Sequence, residues 1–280
     1  MSTFKELGIL KGSLLIFGGP YSNYAATKAI RDIAEHLDIP NTHIFCTGDL
    51  VAYCAEPEQT VDLIRNWGCH VVMGNCEESL AANADDCGCG FDENSSCSLL
   101  SAEWYRYSRF HTSQEHKFWM ETLPRRISFE YSGKRFLVVH GSTNSINEFV
   151  FHSSDHEYKN QQLRQNAVDV IIGGHCGIPF GQQLEQGTWL NAGVIGMPAN
   201  DGTQTGWYML ISPEQGQLKI SWHRLEYDFE NTVQAMEELE LCRPYSQSLS
   251  NGLWPSIDIL PEEEADQTGK RLQLNPLIIC

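Results

Sequence analysis

The chain has no apolar run long enough to cross a membrane: hydrophobic residues make up 41% of its 280 residues but are broken into short stretches. Bases are scarce. Nineteen Lys and Arg stand against 36 Asp and Glu, a formal net charge of −17. That balance argues against a nucleic-acid backbone or an anionic membrane as the main partner. It leaves room for a small phosphorylated substrate, because a bound metal reverses the local field. The opening residues, Met1 to Glu6, lack a basic segment followed by an apolar one, so no secretory signal is expected. An unexported chain makes the ten cysteines thiols or metal ligands rather than a disulfide framework, and a cytoplasmic setting is expected. No internal repeat is visible.

What is present is a strand–loop–helix rhythm. Ser13 to Phe17 reads as a first strand, running into Gly18-Gly19-Pro20-Tyr21-Ser22-Asn23 and a helix from about Ala25 to Leu37 with Ala26, Ile30, Ile33 and Leu37 at helical spacing. A strand from His43 to Thr47 ends at Gly48-Asp49. A helix over 57–67 follows, with Gly68 at its C′ position, and a strand from Cys69 to Met73 delivers Gly74-Asn75-Cys76-Glu77. Three such passages predict α/β architecture with a parallel sheet. Residues 81–100 interrupt with a cysteine-containing acidic loop. An aromatic helix follows, then a second one opening at Thr112 with Glu115 as its capping box. Residues 127–140 read as a hairpin, with further strands at 168–172, 189–192, 207–211 and 218–223. Region 226–280, with eleven acids and three bases, reads as a solvated helix and a wrapping tail.

The polar residues just past the buried strands are Asp49, Asn75, His140 and His175. Any one of them alone reads better as a turn cap or a satisfied structural histidine. Together they offer two nitrogens and two oxygens, a donor set suited to Zn²⁺, Mn²⁺ or Fe²⁺. Gly48, Gly74, Gly141 and Gly174 flank them, as tight turns beside an ion or phosphate require.

Gly48-Asp49, Gly74-Asn75, His140-Gly141 and Gly174-His175, in this order, resemble the calcineurin-like metallophosphoesterase superfamily, in particular its small prokaryotic members. The resemblance covers roughly residues 13–225. It extends to Asp49-Leu-Val-Ala-Tyr-Cys-Ala-Glu-Pro57, Val138-Val-His-Gly-Ser142, His175-Cys-Gly-Ile-Pro-Phe180 and Asn191-Ala-Gly-Val194. It implies a four-layer αββα sandwich of two mixed sheets over 1–225, and hydrolysis of a phosphomonoester or phosphodiester by a metal-activated water. It also implies that Asp49, Asn75, His140 and His175 hold one metal, with Asp49, Asn75 and His140 taking part in catalysis.

The departures from the family pattern fall on the other metal. Its Asp-x-His-Gly motif is replaced by Gly19-Pro20-Tyr21-Ser22, and the last His of Gly-His-x-His by Gly177. The assisting His is Cys76, and the Asp after it is Glu77. Three readings stand. The protein is a one-metal phosphoesterase, with Cys76 a candidate nucleophile or soft ligand. Or a second metal is rebuilt from Tyr21, Cys54, Cys76 and Cys176, with the Asp85-Asp86-Cys87-Gly88-Cys89 loop folding over the same place. Or the fold is a phosphate-binding regulatory module without turnover, with backbone N–H groups of the Gly18, Gly19 and Asn23 loop as the anion cradle.

Overall fold

The run Leu14-Leu15-Ile16-Phe17 is wholly buried, Leu14 and Ile16 facing one core and Leu15 and Phe17 another. That is why it does not alternate: a strand covered on both faces has no solvent side to keep polar. The computed structural model describes residues 4–90 and 95–280; residues 91–94 of the expected cysteine-containing loop lie outside the described residues.

In chain order the elements are β1 (Phe4–Leu10), β2 (Leu14–Phe17), α1 (Tyr24–His36), β3 (Ile44–Cys46), α2 (Pro57–Trp67), β4 (His70–Val71), α3 (Asn75–Ala81), α4 (Ser96–His111), α5 (Gln114–Glu121), β5 (Arg126–Tyr131), β6 (Lys134–Val139) and α6 (His156–Asn166). There follow β7 (Val170–Gly173), β8 (Phe180–Gln183), β9 (Thr188–Asn191), β10 (Gly206–Glu214), β11 (Gln217–Leu225), α7 (Phe229–Glu238), α8 (Arg243–Asn251), α9 (Glu262–Ala265) and β12 (Leu277–Ile279). One sheet has the order β1-β5-β6-β7-β9-β8 and the other β12-β11-β10-β2-β3-β4. Both are mixed: β2, β3 and β4 run parallel, whereas β10 is antiparallel to β2 and to β11. Ile16, Phe45, Phe129, Val138, Ile172, Leu190, Met209 and Ile220 interlock between the sheets. Outside, α1 and α2 cover Leu15 and Phe17 with Ile30, Ala34, Val61 and Ile64, and Leu163 of α6 covers Val139 and Ile171. The result is the four-layer αββα sandwich that the resemblance implied. Among the described residues no helix is long and apolar enough to cross a membrane.

Two local expectations need correction. The cap of α5 is Ser113, not Thr112: the Ser113 hydroxyl accepts from the His116 N–H, and Glu115 turns away to Arg65 at 2.6 Å instead of closing a box. Region 226–280 is built into the body. Met236 of α7 and Leu249 of α8 are fully buried, and β12 pairs antiparallel with β11. Arg224 of β11 donates to the Leu272 carbonyl and to the buried Asp201 carboxylate. What is drawn in there is apolar and neutral, while the acids stay at the surface or, as Glu264, half-buried, so the charge count described only the outer face of that stretch.

Candidate metal centre

Asp49 follows β3 and Asn75 opens α3 just past β4, at one end of one sheet; His140 follows β6 and His175 lies two residues beyond β7, in the other. Packing the two sheets brings the four tips together. His140 Nε2 lies 3.2 Å from Asp49 Oδ2, 3.0 Å from Asn75 Oδ1 and 3.1 Å from His175 Nδ1. All four residues are buried.

Each group is turned by a partner behind it. His140 Nδ1 sits 2.6 Å from the Thr47 carbonyl, to which only an Nδ1–H can donate, so Nε2 is left for the centre. Asn75 Nδ2 donates to the Cys87 carbonyl at 2.9 Å, which aims Oδ1 inward. The Cys76 N–H donates to Asp49 Oδ1 at 3.2 Å, leaving Oδ2 for His140. Glu77, fully buried, accepts from the N–H groups of Asp49 (2.8 Å), Leu50 (2.8 Å) and Gly74 (2.9 Å), tying the Asp49 loop to the start of α3. Asp49 and His175 both sit in the left-handed region (φ 57° and 48°), which costs side-chain-bearing residues about 1–3 kcal/mol each and is concentrated at functional sites. A Cβ on Gly74 would lie 2.3 Å from Asp49 Oδ1, so only glycine lets the two loops approach.

The electrostatics follow from this crowding. Burial alone would raise Asp49, but the His140 imidazole, by its charge and its hydrogen bond, holds the carboxyl below its ordinary range. Burial opposes charge on His140 too, and Asp49 outweighs it and lifts the imidazole above its ordinary value. His175 is pushed down to about 3 by burial and by the charge of His140, so it stays neutral. Glu77 is raised to about 7 by burial and the Asp49 charge, against its three N–H donors. The centre therefore combines a carboxylate, an amide oxygen and two imidazoles around one point that attracts positive charge. Ligand atoms of Asp49, His140 and His175 lie within 4.8 Å of one another, and His175 Nε2 is buried with no hydrogen-bond partner among the described residues. This donor set fits a transition-metal ion.

The other sequence candidates do not assemble a second set. Tyr21 and Cys176 line the cavity that touches Asp49 and His175, but burial pushes the Tyr21 phenol well above its ordinary value and Cys176 up to about 12. Cys176 is occupied by the Asn191 amide, at 3.1 Å. Cys54 points elsewhere, toward the Gly196 carbonyl. Cys76 lies behind Asn75 beside Cys89, its thiol raised well above the ordinary value by burial and further by the Asp49 charge, which opposes the thiolate needed for attack or ligation. Among the described residues, no other cluster of three His, Cys, Asp or Glu side chains forms.

The phosphate cradle expected at Gly18, Gly19 and Asn23 is corrected. The Gly19 N–H donates to the Gly48 carbonyl and that of Tyr21 to the Asp49 carbonyl. Asn23 caps α1 through Oδ1, and its Nδ2 donates to the Gly196 carbonyl and the Tyr227 hydroxyl. The loop is a strut under Asp49, the N–H groups of Gly19, Tyr21, Ser22 and Asn23 being already paired with carbonyls. Cys87-Gly88-Cys89 does fold against the centre: the Asn75 amide that donates to the Cys87 carbonyl also lies 3.3 Å from Cys89 Sγ, and Cys89 lines the cavity beside Asp49 and His175. Glu77 is the residue that sequence reasoning passed over as a mere replacement; its signal was an acid three residues into a helix that opens on Gly74.

A family model described as the calcineurin-like phosphoesterase superfamily domain matches residues 22–216. An uncharacterized protein of Methanocaldococcus jannaschii is 25% identical over 244 residues, 81% of this chain and 92% of that one. A metallophosphoesterase from Sphaerobacter thermophilus shares the fold with a TM-score of 0.66 at 20% identity, over 87% of this chain and all of that one. A hypothetical protein from Pyrococcus horikoshii does so with 0.73 at 16% identity, over 86% and 99%. With the matched model spanning residues 22–216, well over half of the chain, the chain belongs to the calcineurin-like phosphoesterase superfamily.

Proposed function

We propose that the protein is a one-metal phosphoesterase acting on a small phosphate ester at the Asp49–Asn75–His140–His175 centre. The observation that carries this reading is the convergence of four lone-pair donors, three of them turned inward by a hydrogen bond behind the ligating atom. A metal bound there supplies a Lewis acid that acidifies water and polarises a phosphoryl oxygen. The chain's own residues do the rest. Thr47 keeps His140 in the tautomer that presents Nε2, Cys87 keeps the Asn75 oxygen inward, and Glu77 holds the Asp49 loop in its strained geometry. Tyr21, Cys54, Cys76 and Cys176 do not fit a second ion, so no step uses one. Without a second metal clamping attacking and leaving oxygens, turnover is modest.

Metal analysis of protein purified without chelators tests this: about one transition-metal ion per chain is expected, lost in His175→Ala, with hydrolysis of an aryl phosphate or phosphodiester lost in His140→Ala. Protein free of metal, or hydrolysis unchanged in His140→Ala, would overturn it. A second reading, a phosphate-ester-binding module without turnover, draws on the single ligand cluster among the described residues. Metal at full occupancy with no hydrolysis of any ester favours that reading.

A further inference from the structure

The cavity beside Asp49 and His175 is walled by aromatic rings from four separate parts of the chain: Tyr21, Tyr53, Phe149, Tyr245 and Trp254. Tyr53 is their hub, edge-on to Tyr21 with centroids 4.7 Å apart and stacked on Tyr245 at 4.4 Å. Phe149 lies 4.2 Å from the His175 ring. None of the described lining residues is Lys or Arg. At the inner end stands His175, 92% buried with Nε2 unpartnered among the described residues. The outer wall is the C-terminal segment after α8. Trp254 is moored there by its N–H to Asn200 Oδ1 (2.8 Å) and its indole N–H to the Pro198 carbonyl (2.7 Å).

We propose that this chamber receives the aromatic ester group of a singly charged phosphodiester, its phosphoryl group at the Asp49–His175 end and its ring against Tyr53 and Trp254. The proposal rests on the phosphoester reading above and names its substrate class. Aromatic walls favour a flat ring by geometry as well as by area. The lack of a basic side chain decides the charge. A dianion or polyphosphate would carry further negative charge into a low-dielectric chamber beside the Asp49 carboxylate with nothing to pair it, whereas a diester brings one charge, matched by one metal site. Size decides how the ring gets in. The chamber holds about 70 Å³, and an apolar cavity that accepts benzene has about 150 Å³. The Trp254 indole must therefore shift outward, giving up its bond to the Pro198 carbonyl, and close over the bound ring.

Calorimetric titration of the full-length protein, as purified and after chelator treatment, with phenyl methylphosphonate, methyl methylphosphonate and inorganic pyrophosphate tests the proposal. The phenyl ester should bind about tenfold or more tightly than the methyl ester, with pyrophosphate weakest. Trp254→Ala should remove the phenyl advantage and leave the methyl ester unchanged; Trp254→Phe, which keeps a ring, should retain most of it. Equal affinity for the two esters, tightest binding of pyrophosphate, no binding of any probe, or equal weakening of both esters in Trp254→Ala would overturn it. The two proposals fail differently. A phenyl preference with affinity for both esters unchanged by chelation leaves the chamber standing and sinks the metal reading. Metal-dependent binding with no phenyl preference does the reverse.

Discussion

The Glu77 carboxylate accepts the Asp49 N–H at 2.8 Å, and with its other oxygen the Leu50 N–H at the same distance. A residue that is not itself a ligand thus sets the backbone from which the central carboxylate projects. Removing it leaves three buried N–H groups unpaired, including that of Gly74. Glu77→Ala should therefore lower stability by about 2–5 kcal/mol, an unpaired buried group costing about 1–3 kcal/mol with water refilling part of the gap. It should also weaken metal binding about 10–100-fold. Glu77→Gln, which keeps one acceptor, should lose less of both. Denaturant melts and a metal titration measure the two effects.

Cys76 should prove dispensable for the metal. Its thiol lies behind Asn75 and burial opposes its ionisation. Cys76→Ser should leave metal content unchanged and alter stability by about 1 kcal/mol or less through packing. Elemental analysis of the variant decides the matter; a loss of metal would restore Cys76 as a ligand.

Arg224 should be among the costliest single truncations away from the site. It donates to Asp201 at 2.7 Å, to both Thr203 and Thr205, and to the Leu272 carbonyl, while its guanidinium lies 4.4 Å above the Trp207 ring. Asp201 is 2% exposed. Among the described residues, Arg224→Ala leaves the Asp201 carboxylate without its only cation, held by Thr203 and the Leu272 N–H alone, and a loss of about 3 kcal/mol is expected. Urea unfolding measures it, and the 272–279 segment should become protease-sensitive in the variant.

Acid should weaken the fold partly through His70. Burial, and the Lys5 ammonium 3.3 Å from its ring nitrogen, push His70 down to about 4. The unfolded chain then takes up a proton near pH 6.5 that the folded chain refuses until about pH 4. Stability due to this group is present above pH 6.5 and falls as pH drops through that window. His70→Gln should flatten the slope of unfolding free energy against pH between 6.5 and 4; an unchanged slope would mean that other groups set it.

Much of the centre was legible along the chain because of where β-sheet proteins put their loops. A buried strand announces itself as an apolar run, and Asp49, Asn75, His140 and His175 are each the polar group that follows one. The helices α1 and α2 were equally readable, since their apolar spacing and Gly68, at φ 72°, are local signals. Illegible were β1 and β12, which owe their pairing to a neighbour distant in sequence, and β8, a four-residue strand that pairs in a hairpin with β9. Thr112 was misread as a cap because Thr112 and Ser113 both suit that role, and only the fold seats the Ser113 hydroxyl on His116. In region 226–280 the composition showed the exposed acids and the wrapping tail but not the apolar side chains, Met236 and Leu249 among them, that the body buries.

The sequence by itself determined the residue types at the strand tips, which follow from order and local pattern, whereas the αββα layering and the lost ligands of the second metal are what the family resemblance implied. Tertiary structure alone decided which of those residues meet. The two sheets must pack before His140 and His175 of one reach Asp49 and Asn75 of the other, and the chain must fold back before Glu77 can hold Asp49 or Trp254 can close the chamber. Each of those contacts joins positions whose separation along the chain carries no local signal, so only the packed molecule can fix their distance.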